Sequence, residues 1–179
     1  MHIGGGHSDK LPPHAVLLSF DDAYADHFEY VFPILEHEHI QGAFYPPVKA
    51  VTEHTVLDVN KIHFILASTP EDNFPVLLNE IKQLILTNTD EPEVLRKRMA
   101  DILFEKIVGI EESAFSRELY MSVDQIKCMV DCGMHIGSHG YDHYWLGSLP
   151  REKQEFEIKK SIEFINEVGG DVDNWTICY

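Results

Sequence analysis

The sequence predicts an α/β fold built around a short parallel sheet, on three observations. A short apolar run, Ala15, Val16, Leu17 and Leu18, ends at the acidic pair Asp21 and Asp22, as a buried strand does when polar residues lie at its C-terminal mouth. A helical pattern and a second apolar strand follow directly. Residues 134–137 then repeat the arrangement, a strand delivering His139 and His143 to the end on which parallel α/β folds carry their sites.

Residues 14–20 are the first predicted strand. A helix follows through Phe28, Tyr30, Val31, Ile34 and Leu35, and residues 42–45 form the second strand, closed by Pro46 and Pro47. From about residue 52 to 119 the pattern becomes helical: Ile62, Ile65 and Leu66; then Leu77, Leu78, Ile81, Leu84 and Ile85; then Val94, Leu95, Met99, Ile102 and Leu103. This stretch reads as a helical insertion, with the polar, Pro92-containing residues 87–93 separating two of its helices.

Ser122 and Gln125 form a capping-box pattern ahead of a helix through Ile126, Met129 and Val130, which Gly133 is placed to end. Ser148 and Pro150 start a long helix whose predicted buried positions are Phe156, Ile158, Ile162, Ile165 and Val168, with Gly169 and Gly170 as its stop. Residues 175–179 read as a further strand, inside which the sequence ends.

A chain of 179 residues suits one domain. Thirty acidic and fourteen basic side chains give a formal charge of −16, which repels nucleic acid and anionic membrane and leaves neutral or cationic substrates. Most of that charge is expected on solvated helix surface. The cysteines Cys128, Cys132 and Cys178 have no metal-finger spacing and read as buried thiols. No apolar run is long enough to span a bilayer, and residues 1–10 are glycine-rich and polar, without the pattern of an export signal. A cytoplasmic location is the resulting expectation.

Two adjacent carboxylates, Asp21 and Asp22, are costly to desolvate together unless a cation lies nearby. Successive side chains of an extended segment point to different sides, so one can ligate a metal while the other faces the metal's water. The plain alternative is a helix N-cap followed by an acidic first turn. His139 and His143 are four apart, a spacing that lets two imidazoles reach one ion. With eleven histidines in the chain such pairs also arise by chance, and His37, His39 and His135 read as surface or core residues. It is the conjunction of both pairs at strand mouths that suggests a three-ligand site with an open position.

At these residues the chain resembles a known family. Ser19, Phe20, Asp21, Asp22, Ala23 and Tyr24, followed by Phe32, Pro33, Ile34 and Leu35 and by Gly42, Ala43, Phe44 and Tyr45, are similar to the first motif region of the polysaccharide deacetylases. These are also known as the NodB-homology domain or carbohydrate esterase family four. His135, Ile136, Gly137, Ser138, His139, Gly140, Tyr141, Asp142 and His143 resemble its second motif. The likeness covers about residues 17–45 and 121–179.

The resemblance implies a distorted, incomplete (β/α) barrel with a helical insertion, in which Asp22, His139 and His143 hold one divalent ion, commonly zinc, and Asp21 is the catalytic base. It implies hydrolysis of N-acetyl groups on the amino sugars of a polysaccharide or glycan. Tyr24, Tyr141 and Trp145 lie near these residues in sequence and could stack on a sugar, although aromatics at strand ends more often pack.

The chain departs from the family pattern at Gly140, where Thr or Ser is common, at Ala23, where Gly is common, and at Cys178, where many members carry an Arg that contacts the catalytic Asp. Residues 176–179 resemble the opening of the third motif, and the later motifs, which supply groove residues and a His general acid, do not follow. A fragment of a longer domain is therefore expected, with strand edges open to self-association. Two other functions compete: a related amide hydrolase acting on a small non-glycan substrate, and a glycan-binding or scaffold relative without turnover.

Overall fold

The computed structural model describes residues 14–87 and 92–178. Three short strands, β1 (Ser19–Asp21), β2 (Ala43–Tyr45) and β3 (His135–Ile136), pair in parallel in the order β1-β2-β3. Ser19 lies opposite Ala43, and Ala43 opposite His135. A parallel bridge between Ser138 and Ile177 extends the sheet beyond β3, tied by Ser138 N to Thr176 O and Cys178 N to Ser138 O at 2.8 and 2.9 Å. Parallel strands with intervening helices are consistent with part of a (β/α) barrel.

The first strand is shorter than predicted. Leu18 still accepts from Ala43 N, but Val16 and Leu17 are exposed, at 82% and 59%, and lie outside the sheet. The reason is pairing: β1 has a neighbour on one side only among the described residues. The next helix begins as a π-helical turn (His27–Val31) and continues as α1 (Phe32–His37). Pro33, which has no N–H to give, sits where the wider winding gives way to α-helix. Phe32 and Leu35 face the core, whereas Tyr30 and Ile34 face outward.

After β2, Pro46 and Pro47 lead into the short α2 (Val48–Thr52). The helical stretch predicted from about 52 to 119 contains α3 (Asp58–Ser68), α4 (Phe74–Thr87), α5 (Pro92–Ile107) and α6 (Glu112–Leu119). It has its own apolar cluster in Ile65, Leu77, Leu103 and Phe104. Leu66, Leu78 and Ile85 of the predicted stripes are exposed, because three helices around one small cluster shield only part of each apolar face. Of the separator predicted at 87–93, residues 88–91 lie outside the described residues.

Helix α7 (Val123–Asp131) starts in the capping box that Ser122 and Gln125 predict. It lays Ile126 and Met129 against Phe44, Met121 and Ile136, all fully or nearly fully buried. Cys128 and Cys132 fall on its outer face and are exposed, not buried. In α8 (Arg151–Glu167) the buried face is Glu157, Ser161, Phe164 and Ile165, while Phe156 is 48% exposed. Of the predicted positions Ile165 and Val168 are buried and Ile158 and Ile162 half-buried; the face is rotated toward Glu157, whose carboxylate has backbone partners inside.

Gly137 is where the sheet and the site loop meet most closely. A Cβ there would lie 2.5 Å from Tyr45 Cε1 and 2.7 Å from the Thr176 carbonyl oxygen. Gly137→Ala is therefore expected to lower stability by about 1–3 kcal/mol through overpacking. Urea denaturation checks this, and a variant as stable as the wild type rules out so tight an approach of the 176–178 segment.

Candidate metal centre

Asp22 leaves the end of β1 with φ 69°, and Ala23 follows with φ 56°. Two successive left-handed residues turn the chain sharply at the sheet edge, a conformation Asp tolerates better than most side chains. Ala23 is buried, and its carbonyl accepts from Met121 N at 2.8 Å, which fixes the turn to the start of α7. The Asp22 side chain is thereby directed across the end of β2 toward the loop that follows β3.

That loop carries both histidines. His139 Nδ1 meets the Cys178 carbonyl at 2.8 Å. A carbonyl only accepts, so Nδ1 carries a proton and Nε2 is the nitrogen turned toward the site. His143, held at φ 54°, brings its Nε2 to 3.1 Å from His139 Nε2. Asp22 Oδ1 lies 3.3 Å from the first nitrogen and 3.7 Å from the second. It is buried and accepts no hydrogen bond.

These separations fit a cation. Ligand atoms at the Zn–N and Zn–O lengths of about 2.0–2.1 Å stand about 3.3 Å apart in a tetrahedron. The three donor atoms here lie within 4.8 Å of one another, the one such group among the described residues. An Asp-His-His set suits zinc and other borderline divalent ions. The plain alternative is an ion pair between Asp22 and a protonated His139, 3.3 Å apart, and it uses only two of the three groups that converge here.

The electrostatics agree with a mutually dependent cluster. Burial pushes the Asp22 carboxyl up, but His139, His143 and the Tyr24 hydroxyl outweigh it and hold the group below its ordinary range. Burial pulls His139 down, yet Asp22 and the Cys178 carbonyl bring it above the usual histidine value. His143 is lowered, by burial and then by its neighbour His139.

The site loop is held from three sides. Val48 N and Lys49 N donate to the carbonyls of Gly140 and Tyr141, at 3.2 and 2.9 Å. Glu157 Oε2 accepts from Tyr141 N and Asp142 N, at 2.8 and 2.9 Å. Lys49 and Lys97 both pair with the Asp142 carboxylate. Gly140, at φ 81°, sits against that glutamate, where a Cβ would be 3.2 Å from Oε2.

The remaining sequence-predicted residues divide by surroundings. Asp21 is exposed and accepts from the Cys178 thiol at 3.4 Å, so the residue at the position of the family's arginine does reach it. The Tyr24 hydroxyl lies 3.2 Å from Asp22 Oδ2 and 2.9 Å from Asn60 Oδ1, and its single proton serves one at a time. Tyr141 packs edge-on to Phe156 and donates to Glu53, which pushes its phenol up to about 12. Trp145 is 72% exposed and lines, with His139, Gly140, His143 and Tyr144, a cleft of about 210 Å³ beside the donor atoms.

Glu157, Asn60 and Lys97 were not found from the sequence. Glu157 had a signal, since residues 157, 161, 164, 165 and 168 form one helical face once a paired carboxylate is allowed on it. Lys97 had none, because its partner comes from a loop far along the chain.

The polysaccharide deacetylase family model matches residues 8–179. Among solved structures, the deacetylase PplD of Streptococcus pyogenes in complex with acetate is similar at TM-score 0.50 and 14% identity, over 90% of this chain and 44% of that one. The deacetylase domain of BpsB from Bordetella bronchiseptica gives TM-score 0.47 and 14% identity, over 89% of this chain and 53% of that one. This chain thus spans about half the length of these structures. No curated protein matches.

Glu157→Ala would leave two N–H groups of the site loop without their acceptor, a loss of about 2–4 kcal/mol, most of which Glu157→Gln should avoid. Burial raises the Glu157 carboxyl above its ordinary value. A raised carboxyl supports the fold most fully below its unfolded value and loses that support as pH rises through the folded one. In metal-free protein the wild type should therefore lose stability relative to Glu157→Gln as pH rises through the window just above the ordinary glutamate range. Urea titrations across that window measure the difference, and parallel curves would show that the carboxylate is not buried as described.

Proposed function

The chain belongs to the polysaccharide deacetylase family, and from that premise we propose that it is a metal-dependent hydrolase removing N-acetyl groups from the amino sugars of a polysaccharide or glycan. The observation that carries this is the convergence of Asp22, His139 and His143, whose donor atoms lie within 4.8 Å of one another around a buried carboxylate oxygen. These three residues would hold one divalent ion, most naturally zinc for two imidazoles and one carboxylate. Bound there, the ion would polarise an acetyl carbonyl and acidify a water.

The chain's own residues supply the rest. Asp21, exposed beside Asp22, is the base that takes the proton of the attacking water. The Cys178 thiol steadies its carboxylate, and the Cys178 carbonyl orients His139, so one residue serves base and ligand together. Trp145 offers an apolar wall for a sugar ring at the open side of the cleft. Tyr24, although assigned to the substrate from sequence, is better suited to orienting Asp22, given its hydroxyl contact. The formal charge of −16 favours a neutral substrate and an aminated, cationic product over any polyanion.

Elemental analysis of the purified protein is expected to give about one divalent ion per chain, lost in His139→Ala and in Asp22→Ala. Failure to retain zinc after reconstitution would overturn the metal site. Asp21→Asn should keep the ion and lower acetate release from N-acetylated glucosamine oligomers by about a hundredfold or more. Trp145→Ala should raise KM with little change in kcat, the pattern of a residue that binds substrate and transition state alike.

A further inference from the structure

Metal ligands in a loop are only as well placed as the peptide units that carry them, and the peptide leading into His143 is gripped from the helical insertion. Lys97, in the middle of α5, donates to the Asp142 carbonyl at 2.7 Å and to Asp142 Oδ1 at 2.9 Å. Lys49 takes the other carboxylate oxygen at 3.1 Å. The Asp142 carbonyl belongs to the same rigid peptide plane as the His143 nitrogen. Holding that oxygen therefore restrains φ of His143, which sits at 54°, a left-handed value uncommon for any residue but glycine. The Lys97 ammonium also lies 4.5 Å from the centre of the Tyr144 ring, on the far side of His143. One lysine thus contacts the residues on both sides of the ligand.

The surroundings restrict where Lys97 can go. The cleft beneath Asp142 is lined by Lys49, Asp58, Lys61, Asp101 and Glu112. Within it Lys61 is 4% exposed and already paired with Asp101 and Glu112, and Asp58 lies 3.0 Å from Arg96. The neighbouring acidic groups already face other cations, so Lys97 stays on Asp142, which it shares with Lys49. The same insertion reaches Asp22 by a second route, since Asn60 of α3 bonds the Tyr24 hydroxyl and is fixed in turn by Tyr120.

We propose that Lys97 is a positioning residue for His143, through which the helical insertion sets the affinity of the site for its divalent ion. This rests on the metal-site reading above. Residues that orient a metal ligand from outside the coordination sphere change affinity by about tenfold to a hundredfold when removed, and Lys97 meets that description without touching the donor atoms.

Zinc Kd, measured by competition with a chromogenic chelator, should rise about tenfold or more in Lys97→Met and return most of the way in Lys97→Arg, which can still reach the Asp142 carboxylate. Lys106→Met, on the same helix but itself exposed and paired with Glu80, should leave Kd unchanged. The visible spectrum of the cobalt-substituted protein should shift in Lys97→Met, a change that a merely less stable fold would not produce. A Kd within twofold of wild type in folded Lys97→Met overturns the inference. Should that variant fail to fold, Asp142→Asn carries the test, with weaker zinc binding expected and an unchanged Kd overturning the inference. If wild-type protein binds no zinc at all, the metal-site reading falls first and this inference falls with it.

Discussion

Two imidazole nitrogens meet at 3.1 Å with a carboxylate oxygen 3.3 Å from one of them, so three groups that each prefer water or a proton are crowded around one point. Holding the three donors together costs each of them its water, and the surrounding structure must offset that cost. Much of the structure does this. The double left-handed turn at Asp22 and Ala23, the left-handed His143, the tautomer imposed on His139 by a backbone carbonyl and the buried Glu157 under the loop all act on the same few atoms. Such a cluster lowers its free energy when a cation arrives, because the preorganisation has already been supplied by folding.

The charge distribution follows from the same constraint. The buried and half-buried carboxylates around the site have cationic or backbone partners: Asp142 has Lys49 and Lys97, Asp58 has Arg96, and Glu157 has two peptide N–H groups. Asp22 differs in having, among the described residues, two imidazoles beside it and neither a lysine nor an arginine. In a chain whose acidic groups outnumber its basic ones by sixteen, cations placed this deliberately are structural, and few are left to attract a polyanion.

What could be read in the sequence was what depends on local pattern. Asp22, His139 and His143 stand out because strand ends and a four-residue histidine spacing are properties of short segments, and the capping box at Ser122 is another. The errors arose where burial depends on distant partners. Leu17 reads as core and is exposed because β1 pairs on one side only. Cys128 and Cys132 read as buried thiols and fall on the outer face of α7. Glu157 reads as surface and is buried because two N–H groups sixteen and fifteen residues away need its oxygen. No periodicity scan sees such a partner.

The helical insertion shows why the separation of scaffold from site is artificial here. By sequence it is an interruption, helical in period and placed between the two motifs, with a small apolar cluster of its own. By contact it is part of the site's support: Asn60 stands behind Asp22 through Tyr24, and Lys97 stands behind His143 through Asp142. Deleting a loop between two strands usually costs little if its ends meet, since closure entropy changes slowly with length. Deleting this one would take away a neutral amide and an ammonium that the neighbours of Asp22 and His143 use, leaving a half-buried tyrosine hydroxyl and a half-buried aspartate each short of a partner. The cost would appear first at the donor atoms, before the sheet itself was disturbed.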